Sequence, residues 1–241
     1  MKILQITDIH INKLFELTNN IKVVDNFIQV LDEGMAYQPD LIVLSGDLGH
    51  NDVQMDVYQW LKQQLLDRGV PFRVIGGNHD DASLLCQVFG ELQGQLPYFS
   101  YVKDGLKFIF LNTISGQIDE TQMNWLKNEI QSEVAAIFMH HPPFLAGIPH
   151  MDSRYAMEKR AEFLSVFSGL SQRFRIFTGH YHTERTIEIG NVAVYITPST
   201  FVQISDSTVE FTPDHYKPAY RMIAFDGHMF KTWVRYLGMD K

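Results

Sequence analysis

The chain has 241 residues, 45% hydrophobic and 20% charged, the proportions of an ordinary globular protein and enough for one large domain or two small ones. A formal net charge of −8 argues against a large nucleic-acid surface, and no basic, aromatic-interleaved stretch offers one. The single cysteine, Cys86, excludes an internal disulfide and any multi-thiolate zinc site. No apolar run approaches a membrane span and no basic, apolar leader precedes Lys2, so the expectation is a cytoplasmic enzyme without a membrane partner.

In chain order, Lys2 to Thr7 reads as a strand running into Asp8-Ile9-His10. From Thr18 to Met35, Ile21, Val24, Ile28 and Leu31 share one helical face, with Thr18 or Asn19 as N-cap. Leu41-Ile42-Val43-Leu44 is a strand buried on both faces, and Pro39 stops whatever precedes it. After Ser45, Gly46 lets the backbone turn sharply and presents Asp47 at the carboxyl edge of a sheet, where open α/β sheets bind ligands. Asp52 can cap a second helix whose buried face is Val53, Val57, Trp60 or Leu61, and Leu65, ending near Gly69-Val70-Pro71. Phe72 to Ile75 then leads into Gly76-Gly77-Asn78-His79-Asp80, with a short helix over Ala82 to Phe89 behind it. Tyr98 to Val102 and Lys107 to Leu111 flank Asp104-Gly105, the turn dipeptide of a hairpin.

The second half repeats the scheme. Met123, Leu126 and Ile130 mark a helix before the strand Val134 to Met139, which delivers His140-His141-Pro142-Pro143. Met157, Ala161, Leu164 and Phe167 mark another before Phe174 to Thr178, which delivers Gly179-His180-Tyr181-His182. Two hairpins follow, Arg185 to Ile196 around Gly190-Asn191 and Tyr220 to Tyr236 around Asp226-Gly227. This order predicts an α/β fold of two sheets with helices outside, in one domain over 1–241.

Five strand-like runs thus each deliver Asp, Asn or His one or two residues after the strand. Any one of these is a common turn: Asn78 after two glycines is an ordinary left-handed turn residue, and a Gly-Asp after an apolar run is usually no more. All five together form a donor set suited to divalent or trivalent metals with mixed oxygen and nitrogen ligands. Asp8 and His10 leave one strand end together, and a short flexible exit lets both reach one ion. His180 and His182 are separated by one residue, so an extended exit points them the same way. A carboxylate has two oxygens and can bridge two ions about 3.5–4 Å apart, which suits Asp47.

In that order, Asp-x-His, Gly-Asp, Gly-Asn-His-Asp, His-His-Pro and Gly-His-x-His resemble the calcineurin-like metallophosphoesterases across the whole chain. Met139-His140-His141-Pro142-Pro143 and Thr197-Pro198-Ser199-Thr200 with Gln203 are similar to the bacterial class III cyclic nucleotide phosphodiesterases. The resemblance implies a four-layer αββα sandwich and two metal ions (iron, manganese, zinc or cobalt). Asp8, His10 and His182 would hold one, Asn78, His140 and His180 the other, and Asp47 would bridge them. It also implies attack on a phosphodiester by a metal-bridging hydroxide, with 3′,5′-cyclic AMP as leading substrate and 5′-AMP as product. His79 is the candidate general acid for the leaving oxygen, Asn78 could orient a phosphate oxygen, and a homodimer is expected. The alternative is a broader phosphodiesterase or phosphomonoesterase acting on 2′,3′-cyclic nucleotides or other small esters.

Departures narrow the field. Purple acid phosphatases place a tyrosine ligand three residues after the bridging aspartate, where this chain has His50. Ser/Thr protein phosphatases carry an Asp-Arg-Gly segment there and Gly-Asn-His-Glu, against Gly-Asn-His-Asp here. Some relatives orient the acid histidine with a carboxylate at the position of His50, for which Asp52 or Asp80 could substitute. A non-catalytic interaction protein on this fold, like the retromer subunit, is disfavoured because His79 and all seven expected ligands are retained. His150, His215 and His228 are expected at the surface or in turns, and His141 could support a ligand.

Overall fold

The computed structural model describes residues 1–51, 55–227 and 229–238. The expected cap Asp52, the expected core residue Val53 and His228 lie outside the described residues.

Two sheets pack face to face between two layers of helices. The first sheet joins β1 (Lys2–Ile6), β2 (Leu41–Ser45) and β3 (Phe72–Ile75) in parallel and adds β12 (Ala219–Asp226) and β13 (Met229–Tyr236) antiparallel, in the order β13-β12-β1-β2-β3. The second sheet has the order β4-β5-β6-β7-β9-β8, from β4 (Phe99–Lys103), β5 (Leu106–Phe110), β6 (Ala136–Phe138), β7 (Phe174–Thr178), β8 (Arg185–Ile189) and β9 (Val192–Ile196). Helices α1 (Val23–Met35), α2 (Met55–Asp67) and α3 (Ala82–Gln93) cover the first sheet. Helices α4 (Glu120–Glu129), α5 (Pro149–Arg154) and α6 (Arg160–Ser165) belong to the second. A short pair, β10 (Gln203–Ile204) and β11 (Pro213–His215), stands apart.

Strand alternation builds the layers. Leu4, Ile42 and Leu44 point to the core under α1–α3, while Ile3, Leu41 and Val43 point to the inter-sheet core. There they meet a row of stacked rings that crosses the second sheet, Phe99, Phe110, Phe138, Phe177 and Tyr195, with successive centroids 4.7, 5.2, 5.4 and 5.0 Å apart. The inter-sheet layer also holds a polar patch. Gln5 donates to Ser45 Oγ (2.9 Å), Thr197 Oγ1 donates to Gln5 (2.8 Å), and the Arg221 guanidinium, 2% exposed, donates to Thr197 Oγ1 (2.9 Å) and the Ile196 carbonyl (2.9 Å).

Three expected helices differ. The first starts at Val23, not near Thr18, because Asn19 and Asn20 adopt left-handed φ of 46° and 65°. Thr18 and Ile21 instead exchange backbone hydrogen bonds of 3.0 and 2.8 Å across a tight turn. The third runs on to Gln93, where Gly94 ends it. The helix expected over Met157–Phe167 is only Arg160–Ser165, because Lys159 enters it at φ 50°; Phe163, not the exposed Ala161, fills the core beside Met157 and Phe167. Helix α5 and the strands β10 and β11, too short for a periodic signal, were not anticipated.

Candidate metal centre

Each of the five expected loops leaves the carboxyl end of a parallel strand, and their polar side chains converge there. Asp8, His10, Asp47 and His182 form one buried cluster, and Asp47, His140 and His180 a second; in each, ligand atoms lie within 4.8 Å of one another. Asp47 is common to both.

The exits are neither flexible nor extended. Asp8, His10, Asp47, His180 and His182 all sit at left-handed φ, 54°, 56°, 51°, 66° and 50°. Such a conformation costs a non-glycine residue about 1–3 kcal/mol and persists only where surroundings over-determine it. Here the β1 and β2 exits bond to one another: Asp8 N–H donates to the Gly46 carbonyl (2.9 Å), Ile9 and His10 N–H to that of Asp47 (2.8 and 3.0 Å). The reading that a short flexible exit carries Asp8 and His10 to one ion is therefore corrected: the exit is held rigid. The reading that His180 and His182 point the same way is also corrected. Tyr181 N–H donates back to the Gly179 carbonyl (2.8 Å), and this tight turn sends the two rings to different clusters.

In three of the four cluster histidines the second ring nitrogen is committed to a backbone carbonyl. His182 Nδ1 lies 2.7 Å from the Val202 carbonyl, His140 Nδ1 2.9 Å from that of Ser45, and His180 Nε2 3.0 Å from that of Tyr155. A carbonyl only accepts, so each of these nitrogens carries the proton and the opposite one offers a lone pair. His140 Nε2 is buried without a hydrogen-bond partner, 3.3 Å from Asp47 Oδ2 and 3.8 Å from Asp8 Oδ1. His10 Nε2 and His182 Nε2 approach to 3.1 Å, with His182 Nε2 3.2 Å from Asp8 Oδ1 and His10 Nε2 3.6 Å from Asp47 Oδ2. A partnerless His140 Nε2 and buried carboxylates turned inward on the histidines fit a bound cation, and the donor set suits iron, manganese, zinc or cobalt.

Without a cation the protons are shared unevenly. Burial pushes the Asp47 carboxyl up, but His140 and then His10 pull it well below the usual carboxylate range; burial and His182 act the same way on Asp8, less strongly. Burial lowers His140, yet Asp47 and Asp8 raise it to about 9, while burial and then His140 depress His180 to about 4.

Asn78 and His79 are placed differently. Asn78 is exposed and lines a cavity of about 270 Å³ together with His180 and His141. His79 is half-buried; its N–H donates to Asp47 Oδ1 (2.9 Å), and its ring packs edge-on to His10 (centroids 5.0 Å) and parallel to His50 (5.9 Å, 2°). Among the described residues no carboxylate bonds the His79 ring. Asp80 does not substitute, because its oxygens accept from the N–H groups of Leu48, Gly49 and Gly77 and from the Tyr58 hydroxyl. His150 is buried rather than at the surface, its Nδ1 3.0 Å from the Val209 carbonyl.

Sequence reasoning missed the clamps on the exits. Ser199 Oγ (2.9 Å) and Thr200 Oγ1 (3.2 Å) donate to the Asp8 carbonyl, and Gln203 binds Ser199 through both its backbone N–H (3.1 Å) and carbonyl (2.7 Å). The Thr-Pro-Ser-Thr segment was the available signal, but it carried no role. Glycine is required where loops touch: a Cβ at Gly77 would collide with the Asp47 carboxylate and come within 2.6 Å of His140 Nε2, and one at Gly46, at φ 103°, would collide with the His140 ring.

Among the described residues no helix is long and apolar enough to cross a membrane. Over 240 residues the chain is 35% identical to a Fibrobacter succinogenes protein named a probable cyclic nucleotide phosphodiesterase, covering 97% of this chain and 93% of that one. It is 27% identical to an Arcobacter nitrofigilis protein named a probable glycerophosphodiester phosphodiesterase, over 88% of this chain and 84% of that one. A dimetal phosphatase from Danio rerio shares the fold at 14% identity, with a TM-score of 0.64 over 92% of this chain and 94% of that one. Residues 1–184 match the model of the calcineurin-like phosphoesterases, so the chain belongs to that family and is a hydrolase of phosphoric esters.

Proposed function

We propose that the chain acts as one domain that hydrolyses the phosphodiester of a cyclic nucleotide, with 3′,5′-cyclic AMP to 5′-AMP the leading reaction, as a cytoplasmic homodimer. The observation that carries the reading is the sharing of Asp47 by two buried clusters, each with a lone pair presented by histidines whose other nitrogen is tied down. Asp8, His10 and His182 would hold one ion and Asn78, His140 and His180 the other, with the Asp47 carboxylate available to both. When bound, two such ions neutralise phosphate charge and bring water within reach of deprotonation near neutral pH.

The protein groups do the rest. The left-handed exits fix the donors before any ion arrives, so little reorganisation accompanies binding. His79, half-buried beside His10 and His50, faces the leaving oxygen and gives it a proton. Its orientation comes from ring packing and from its own N–H on Asp47. Asn78, exposed in the cavity beside His180, turns a phosphate oxygen.

A broader phosphodiesterase is the second reading, favoured by the glycerophosphodiester relative of similar coverage. A metal-reconstituted screen across 3′,5′- and 2′,3′-cyclic nucleotides, glycerophosphodiesters and monoesters, with product identification, separates them; faster turnover of a linear diester than of any cyclic nucleotide sinks the first. In the same assay, His79→Ala should lower turnover of a cyclic nucleotide by about 10²-fold or more. It should lower that of a nitrophenyl diester, whose leaving anion needs no proton, far less. Equal losses on both substrates assign His79 to phosphate binding instead.

A further inference from the structure

The cavity beside the second cluster is lined by Asn78 and His180, by Ile114 and Tyr155, and by His141, to which no role falls in the reading above. His141 is 3% exposed, with its ring 4.1 Å from that of His180 and 5.1 Å from that of His140. Its Nδ1 lies 3.0 Å from Thr113 Oγ1, which also accepts the His141 backbone N–H at 3.2 Å.

The tautomer follows from the hydroxyl. Thr113 is wholly buried, and its Oγ1 already accepts the backbone N–H. Its own proton needs an acceptor, and His141 Nδ1 is the one within reach. If Nδ1 carried the proton, the oxygen would accept twice and a buried O–H would be left unmade, at about 1–3 kcal/mol. Nδ1 therefore accepts, and the neutral ring carries its proton on Nε2. With Nδ1 turned to Thr113, Nε2 is the nitrogen left to the cavity. The other strong donor there, Arg154, is tied to Glu210 at 2.8 Å.

We propose that His141 is a substrate-contacting residue, whose Nε2–H donates a hydrogen bond to a phosphoryl oxygen of the ester seated in this cavity. The proposal rests on the two-cation phosphodiesterase reading for the position of the phosphorus. It places a neutral, pre-oriented donor beside His140 and His180 of the second cluster, whereas His79 packs against His10 of the first. A phosphate oxygen beside His180 comes within reach of a ring 4.1 Å away, and a donor fixed before the ester arrives costs no reorganisation when charge develops on that oxygen.

Two substitutions separate this from a packing role. The amide nitrogen of Gln reaches the place of Nε2, whereas the shorter amide of Asn reaches only the place of Nδ1, with its oxygen against Thr113. With the manganese-loaded protein and bis(p-nitrophenyl) phosphate, His141→Asn should lower kcat/KM by about 10²-fold, the loss usual for one such donor. His141→Gln should stay within about tenfold of the parent, with metal content per chain unchanged in both. Calorimetry with inorganic phosphate should show the same order of affinities, whatever ester is turned over. Long-range proton–nitrogen correlation spectra of the metal-free protein should show His141 protonated at Nε2. Protonation at Nδ1, retention by Asn with loss by Gln, or equal losses in both variants overturns the proposal. If no cyclic nucleotide is hydrolysed but His141→Asn still weakens phosphate, the substrate reading fails and this one stands.

Discussion

Asp80→Asn tests whether the site is held by its loops or only by its ligands. Asp80 is 8% exposed and joins three segments. Its Oδ1 accepts from Gly49 N–H (3.1 Å) and the Tyr58 hydroxyl (2.9 Å), its Oδ2 from Gly77 N–H (2.9 Å), and Leu48 N–H reaches both (3.2 and 3.1 Å). Burial, and then the charge of Asp47, push its carboxyl up to about 6 while the backbone N–H groups pull it down, so at pH 7.5 it is an ionised acceptor. An amide keeps the shape but has one acceptor. Whichever way it turns, its NH₂ faces a backbone N–H, of Gly77 or of Gly49, and at least one buried donor goes unmet.

Each unmet donor costs about 1–3 kcal/mol, so one or two cost about 1–6 kcal/mol. For a chain of this size that is a fall in Tm of at least about 2–4 °C, since about 1 kcal/mol shifts it by that much. Tyr58→Phe, which removes one donor to the carboxylate (2.9 Å) and one acceptor for Asp81 N–H (3.0 Å), should cost about 1–3 kcal/mol at about 0.5–1.5 kcal/mol per bond. Thermal melts at pH 7.5 in excess chelator measure the loops without metal. Metal uptake per chain then shows whether loosening the Asp47 and Asn78-His79 loops also weakens the ions. An Asp80→Asn protein with parental Tm and parental metal content would refute the reasoning, since four donors would then have lost their carboxylate at no cost.

Two further predictions use the same measurements. Metal at about 100 times Kd should stabilise the protein by ~2.7 kcal/mol per site; Asp47→Asn should abolish the gain from both sites and His10→Ala mainly that from one, read as Tm and ions per chain, with equal loss of both ions in the two variants counting against a shared Asp47. Gly77→Ala should abolish metal uptake while far-ultraviolet circular dichroism stays parental, because its Cβ meets the Asp47 carboxylate and His140 Nε2 rather than the core; full metal content in that variant contradicts the close approach.

Much of this site was legible because strand ends in parallel sheets fall on one edge, so five strand-end motifs spaced along the sequence had to meet. The buried strands were equally plain, since Leu41–Leu44 carries large apolar residues on both faces. What could not be read was conformation set by distant partners. Nothing local marks Asp8 or His10 as left-handed, because the groups that hold them there come from Gly46, Asp47, Ser199 and Thr200, far away in sequence. The role of His141 was hidden for the same reason, since its tautomer is decided by Thr113, 28 residues earlier. Helix ends failed where one side chain's tolerance of positive φ decided them, as at Asn19, Asn20 and Lys159.

The left-handed exits explain why the polar residues behind the site matter as much as the ligands. In an ordinary extended exit, successive residues point to opposite sides, so Asp8 and His10 would share a side and residues beyond them would drift away from the sheet edge. A left-handed residue reverses the chain within one step and keeps each donor close to its strand. That geometry costs free energy at five positions, and the cost is offset only while the carbonyls so exposed have donors. Asp8 is the clearest instance: its carbonyl accepts from Ser199 and Thr200, and its carboxylate accepts His180 N–H at 3.0 Å. The β7 and β9 loops therefore fix the β1 ligand from both of its ends. Because Gln203 holds Ser199 in turn, the Thr197–Gln203 segment positions a ligand without contributing a ligand atom to either cluster.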